Sequence, residues 1–364
     1  MVNSRVATTP LRRRTAAPGD RQHLAQLSII VLFCVCIGTA VFSLSVGPVA
    51  IDGFAVLRNW LGGEGLDAVS RDAIVLFEIR MPRILLGLLV GGALAASGAM
   101  LQGLFRNPLA DPGLIGVSAG AALAAVTVIV LGDRYFPWLR ETLSIFALPT
   151  AAIIGGLLTT WALYRIATRH GQTSTATMLL AGIAIAALAG ALSGILVYVS
   201  TDQQLRDLTF WSLGSLGGAT WQKLIAAVPF VLPVFVLFPL IGRGLNAMLL
   251  GDSPATHMGV DVQVLKRLTI VSVACAVGAS VAVSGVIGFV GIVVPHLLRL
   301  IIGPDNRFLI PACILLGGAL LLIADNFART IVTPAELPIG IVTALIGAPF
   351  FLWLLLRQKG LIDV

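Results

Sequence analysis

The chain reads as an all-α polytopic membrane protein with about ten membrane-spanning helices, and three observations carry that reading. Of its 364 residues, 57% are apolar and only 11% are charged, less than half the charged share of a soluble domain. The mean hydropathy is +0.98, far too apolar for a disordered, solvated chain. The apolar residues also gather into runs of about 20, the length that crosses a bilayer core as a helix. Glycine, at 39 residues, exceeds its usual share, as expected where membrane helices pack closely.

Taken in order, residues 1–23 form a basic segment carrying Arg12, Arg13, Arg14 and Arg21, expected in the cytoplasm. The first apolar run, 24–46, is longer than a signal-peptide core and lacks a small-residue cleavage site, so it reads as a retained span. Further runs fall near 82–105, 113–131, 144–166, 175–197, 222–242, 264–284, 286–302, 308–328 and 339–357. Residues 24–364 thus form one ten-span domain. The eighth run is short and the break before it, at Ser284 and Gly285, is weak, so the count is nine or ten. With the amino terminus inside, alternation places 15 of the 24 Lys and Arg residues on the inner side, which favours both termini in the cytoplasm. The basic excess therefore reads as topology and not as nucleic-acid binding. Cys34, Cys36, Cys275 and Cys313 lie inside apolar runs without metal or disulfide spacing, and read as packing residues. The longest polar stretches, 47–80 and 198–220 outside and 243–262 inside, are too small for a soluble catalytic domain.

Three short motifs carry mechanism. From Arg106 to Gly113, the steps Asn107–Pro108 and Asp111–Pro112 push the residue before each proline out of the helical region, so one helix stops and another starts. Asp111 can cap the new helix with Pro112 at its first position. Such backbone lines a cavity or faces protein; a plain interhelical turn is the alternative. The inner loop 250–260 reads as a very short helix with Ser253 as N-cap, Pro254 as first residue and Gly259 as stop. Too short to hold itself in water, it leans on its own spans or on a cytoplasmic partner. At the outer side, Arg80 and Arg83 open the second span and Arg329 closes the ninth. They either snorkel to lipid head groups or form a docking surface.

What is missing narrows the function. No Lys follows a Gly anywhere in the chain, so there is no Walker A loop and no ATP site of that kind. His23, His170, His257 and His296 lack metal-ligand spacing. Asp325, near the outer end of its span, is the one acid placed within a span. An ion-coupled carrier, the main rival reading, usually buries ionisable groups near mid-membrane. An intramembrane enzyme would need paired acids, a Ser/His set or a metal cluster in the spans, and none is visible.

Together these segments resemble the FecCD family, the permease subunits of ABC importers for iron complexes and cobalamin, over nearly the whole chain from residue 24. The resemblance rests on Arg80 to Arg83, Gly91 to Gly98, Gln102, Arg106 to Pro112 and Gly116 to Ala121. It continues through Leu180 to Ile183, Trp211 to Ser215, Trp221, Gly288 to His296 with Arg299, Ala335 to Gly340, and Gly347 to Pro349. It implies a type II ABC importer permease fold, a homodimer with the substrate path between two copies, two cytoplasmic ATPase subunits and a periplasmic binding protein, in a bacterial inner membrane. ATP and Mg would bind the ATPase, and no cofactor or metal this chain. By the same resemblance the 243–262 loop is the ATPase-coupling segment, with Gly251, Asp252, Ser253, Ala255, Met258 and Gly259. Met258 replaces a family Leu without loss of bulk. Arg80, Arg83 and Arg329 match arginines that meet glutamates of the binding protein. Asn107, Pro108 and Leu109 match one inner gate segment, and Thr175 and Ala176 the other, although Ala176 departs from the small hydroxyl residue expected there. The wording from Arg106 to Ala121 is nearest to haem permeases, with siderophore and cobalamin as alternative cargoes. Arg206, before Trp211, is a candidate to meet an anionic group such as a haem propionate; a surface pair with Asp202 or Asp207 is the alternative.

Overall fold

The computed structural model describes residues 21–47, 71–113, 116–135, 137–169, 172–332 and 335–358, with four isolated positions between 49 and 58. All ten predicted runs are helical. They are α1 (Gln22–Ser45), α2 (Arg71–Leu104), α3 (Val117–Tyr135), α5 (Ala147–Ala167), α6 (Thr175–Tyr198), α8 (Trp221–Met248), α10 (Val262–Ser284), α11 (Val290–Ile302), α12 (Asn306–Ala328) and α13 (Ile339–Gln358). Among the described residues, three short α-helices lie between them, α4 (Pro137–Leu143), α7 (Asp202–Ser212) and α9 (Asp252–His257), with a 3-10 turn at Ser144–Phe146. A small antiparallel ribbon pairs β1 (Thr168–Arg169) with β2 (Gln172–Thr173) between α5 and α6.

Two boundaries differ from expectation, each for a backbone reason. α2 begins at Arg71 and not near 82, because Val75–Arg80 is wound as a π-helix. That wider turn ahead of Pro82 relieves the clash between the proline ring and the preceding turn, so the helix runs through a residue that reads as its start. The break before the eighth run is stronger than the sequence suggests. α10 ends at Gly285 with φ 69°, and α11 starts after Phe289 in the left-handed region at φ 68°. The 13 residues of α11 span about 20 Å, short of the roughly 30 Å hydrocarbon core. It is a half-helix. The irregular stretch before it is buried against protein, with the Ser215 N–H donating to the Ser284 carbonyl at 2.8 Å, as membrane-depth backbone requires.

α2 and α10 form the centre, with 83% and 72% of their apolar windows buried, while α1 and α6 are peripheral at 11% each. Small residues bring α2 against its neighbours. A Cβ on Gly98 would lie 2.0 Å from the Gly291 carbonyl oxygen of α11, and one on Gly91 2.3 Å from that of Gly317 on α12. Ser97 is fully buried beside them. Backbones in direct contact maximise dispersion where lipid supplies no hydrophobic drive.

Candidate functional site

At the end expected to face the cytoplasm, α8 stops at Met248 and the chain turns through Leu249 and Leu250 into Gly251, whose φ of 116° admits glycine with least strain. The short helix α9 then runs from Asp252 to His257. Its end is a Schellman closure: Val260 N–H donates to the Ala255 carbonyl at 3.1 Å and Gly259 N–H to that of Thr256 at 2.9 Å, with Gly259 at φ 85°. Gly259 is thus the predicted stop. Ser253 is not the N-cap: Gly251 occupies that position, no side chain caps the helix, and Ser253 is exposed. Ala255 is fully buried against the spans, whereas Leu250 and Met258 are 67% and 63% exposed. An apolar, outward-facing knob on a rigidly seated base results. A groove of about 590 Å³ runs beside it, lined by Ser253, Thr256, Val260 and Gln263 among others.

Asp252 fastens this helix to the membrane domain. One carboxylate oxygen lies 3.2 Å from Arg106 at the start of the predicted gate segment, and the other 2.7 Å from the buried Lys266 of α10. Arg106 itself has φ 50°. Just upstream, Asn246 donates to Asp305 at 2.6 Å and accepts from the Asn306 N–H at 2.9 Å. Asp305 caps α12 and also takes the Arg307 guanidinium at 2.6 Å. Partial burial pushes the Asp305 carboxyl up, but the hydrogen bonds from Arg307 and Asn246 outweigh this and hold it below its usual value.

The segment predicted as a gate is a compact turn. Asn107 Oδ1 accepts from the Leu109 N–H at 2.9 Å, and the Asn107 N–H donates to the Gln102 carbonyl at 3.1 Å. Pro108 is exposed and Leu109 half-buried. Asp111 does not cap the next helix, which starts at Val117. Its carboxylate instead accepts from the Gly113 N–H at 2.8 Å in an Asx turn and lies so close to Gly291 that a Cβ there would sit 2.6 Å away. Gln102, 2% exposed, donates to the Gly291 carbonyl at 3.2 Å and accepts from Arg299. This turn, the end of α2 and the half-helix α11 are therefore one cluster. Sequence spacing gave no sign of the Gln102–Arg299 link, which joins residues 197 positions apart.

Thr175 and Ala176 are the first residues of α6, entered from the β ribbon; the Ser174 hydroxyl caps that helix by accepting from Thr177 N–H at 3.3 Å. The side chains of Thr175 and Ala176 lie outside the described part of the structure.

The outer arginines sit differently from expectation. Arg80, Arg83 and Arg329 are 3%, 6% and 2% exposed. Arg83 grips Asp325 with two nitrogens, at 2.9 and 2.7 Å, and Glu336 with its third, at 2.9 Å. Arg329 lies 3.7 Å from Asp325 and donates to Asn326 and, at 3.2 Å, to the Ser43 carbonyl. Arg80 donates to the carbonyls of Leu44 and Val49. The expected outward docking surface is thus corrected: these guanidinia tie α2, α12, α1 and the loop before α13 together. A buried carboxylate demands such partners, and a linear pattern cannot show that Asp325 faces Arg83.

Arg206, on α7, is exposed and forms no ion pair with Asp202 or Asp207 among the described residues. A capping box between Thr201 and Gln204 starts α7, and Gln204 tethers it to the carbonyls of Ile129 and Val130 at the end of α3, at 3.3 and 3.4 Å.

The model of the FecCD transport family matches residues 30–357. The hemin transport system permease protein HmuU of Yersinia pestis is 50% identical over 282 residues, covering 78% of this chain and 83% of that protein. The vitamin B12 import system permease protein BtuC of Klebsiella pneumoniae is 44% identical over 304 residues, covering 83% and 88%. A solved structure described as an inward-facing conformation of a metal-chelate type ABC transporter superposes with a TM-score of 0.75 at 35% identity, covering 90% of this chain and 98% of that one.

Proposed function

The chain belongs to the FecCD transport family, and from that membership we propose that it is the permease subunit of an ATP-driven importer of an iron complex, with haem as the favoured cargo. The single observation that carries the mechanism is Asp252, which bridges the short helix α9 to Arg106 of the gate and to Lys266 of α10. Two cytoplasmic ATPase subunits hold ATP and Mg and dock on the exposed Leu250 and Met258. Closing on nucleotide, they push α9, and the base at Ala255 passes the displacement to the spans. The turn Asn107–Leu109 and the start of α6 at Thr175 and Ala176 then open as the outer side shuts. The chain itself does no covalent chemistry on the cargo and needs no cofactor of its own.

A second copy completes the path between two permeases, and a periplasmic binding protein delivers cargo at the outer end, without direct contact from Arg80, Arg83 or Arg329. Arg206, exposed and without an ion pair among the described residues, is available to a cargo carboxylate. Both termini lie in the cytoplasm of a multi-pass protein of the bacterial inner membrane. Haem is favoured by the 50% identity to a hemin permease; cobalamin is the second reading, favoured by the 44% identity to a vitamin B12 permease. Uptake in proteoliposomes tests the proposal. Haem accumulation that needs ATP, the ATPase and the binding protein is expected. Accumulation driven by an ion gradient through this chain alone would show a secondary carrier instead.

A further inference from the structure

A second groove lies at the same inner end of the molecule, between the last turns of α5 and the first turns of α10, with a volume of about 460 Å³. Its two ends differ in chemistry. Nearest the helix termini stand the exposed Arg165 and Arg267, and neither pairs with a carboxylate among the described residues. Lys266, on the same wall, is already held by Asp252. The Arg165 guanidinium sits 6.0 Å from the Trp161 ring centroid, and the Tyr164 hydroxyl points at Gln263 Oε1, 3.5 Å away. Deeper in, the wall is apolar, with Leu158 60% and Val271 48% exposed.

The dimensions match a membrane interface. Arg165 is two residues from the end of α5, and Leu158 is seven residues further in, about 10 Å along the helix. That distance crosses a headgroup layer of about 5–7 Å and enters hydrocarbon. Trp and Tyr favour this depth. Guanidinium groups hold phosphate oxygens in pairs, which suits two arginines over one ligand better than lysines.

We propose that the α5–α10 groove binds an anionic phospholipid, its phosphate held between Arg165 and Arg267 and its acyl chains laid on Leu158 and Val271. A free phosphate would leave the apolar wall unused, and an acidic protein segment would not follow it down into the hydrocarbon. The site would tie lipid composition to α10, the helix that Asp252 fastens to α9. Its binding test needs neither ATP nor cargo, so it stands or falls independently of the transport reading.

The test uses the purified full-length chain in phosphatidylcholine nanodiscs containing a minor fraction of phosphatidylglycerol with brominated tails. The emission difference between the wild-type chain and W161F isolates Trp161. Brominated phosphatidylglycerol is expected to quench it at a clearly lower mole fraction than brominated phosphatidylcholine. R165Q/R267Q should weaken that preference by about fivefold per guanidinium, while R165K/R267K retains part of it. Equal quenching of the wild-type chain by both lipids overturns the proposal, whatever the variants do. So does an unchanged preference in R165Q/R267Q, including the case where that variant instead loses ATPase binding. Full displacement of the lipid by millimolar inorganic phosphate would mark a free-anion site and also overturn it; resistance to phosphate supports the lipid.

Discussion

The outer and inner ends of the molecule use the same chemistry, an arginine meeting an aspartate, to opposite purpose. At the outer end, Arg83 and Asp325 are 7% and 1% exposed at their side chains, and the pair is closed in by Arg329 and Glu336. At the inner end, Arg106 and Asp252 are 48% and 34% exposed, and they join the six-residue helix α9 to the turn at Arg106–Leu109. The desolvated cluster holds elements in fixed register, because either charge alone would be uncompensated in a low-dielectric setting. The wet pair contributes little stability and is free to break and re-form as its elements move. Burial, not residue type, separates a clamp from a link.

Five substitutions, one of them read against pH, sharpen or break that contrast. Asp325→Ala leaves two buried guanidinia short of their partner and should cost about 3–5 kcal/mol of stability, read as a large fall in thermal midpoint in detergent; a small fall would mean the cluster is not a clamp. Gly98→Val drives side-chain atoms into the Gly291 carbonyl and should cost about 1–3 kcal/mol by overpacking, again measured by thermal unfolding. Asp252→Asn should move stability by less than about 1 kcal/mol, yet lower ATP-driven uptake at least about fivefold, the scale of a typical coupling between sites. ATP hydrolysis by the assembled complex should persist. Normal uptake by that variant would remove Asp252 from the transmission path.

The effect at Asp305 is smaller and depends on pH. Its carboxyl is held below its ordinary value in the folded chain, so its stabilising contribution is complete above the unfolded pKa of about 3.9 and is lost as pH falls through the folded value. Asp305→Asn should lower stability near neutrality and flatten the acid limb of the stability–pH curve, the two curves converging as pH falls through the folded value. Ser253→Ala is expected to change least, within about 0.5 kcal/mol, since Ser253 caps nothing. A loss near 1 kcal/mol, the usual figure for a missing cap, would restore the serine to the role its sequence suggests.

Much of the architecture was legible in one dimension. Ten apolar runs become ten helices because a bilayer leaves the backbone no other way to satisfy its N–H and C=O groups, and that demand writes itself into length and composition. Gly259 was readable as the stop of α9 for a similar reason, since its φ of 85° favours glycine, whereas Gly251 as the first boundary was not, because Ser253 offers the stronger local signal. Errors arose where two local signals competed within a few residues of each other. Ser253 looks like a cap until Gly251 takes that position, and Pro82 looks like a start until a π turn carries the helix past it.

The sequence by itself determined that this chain crosses a membrane many times, that a polar loop between two spans bears one short helix stopped by Gly259, and that its motifs are those of a transport family. These properties are set by hydropathy, backbone freedom and short-range order, each confined to a few consecutive residues. Only the tertiary structure decided that Arg83 faces inward onto Asp325, that Asp252 reaches Arg106 across 146 positions, and that Arg165 and Arg267 share one groove. Charge pairing depends on distance and on the water excluded around it, and neither is a property of the chain until it has folded.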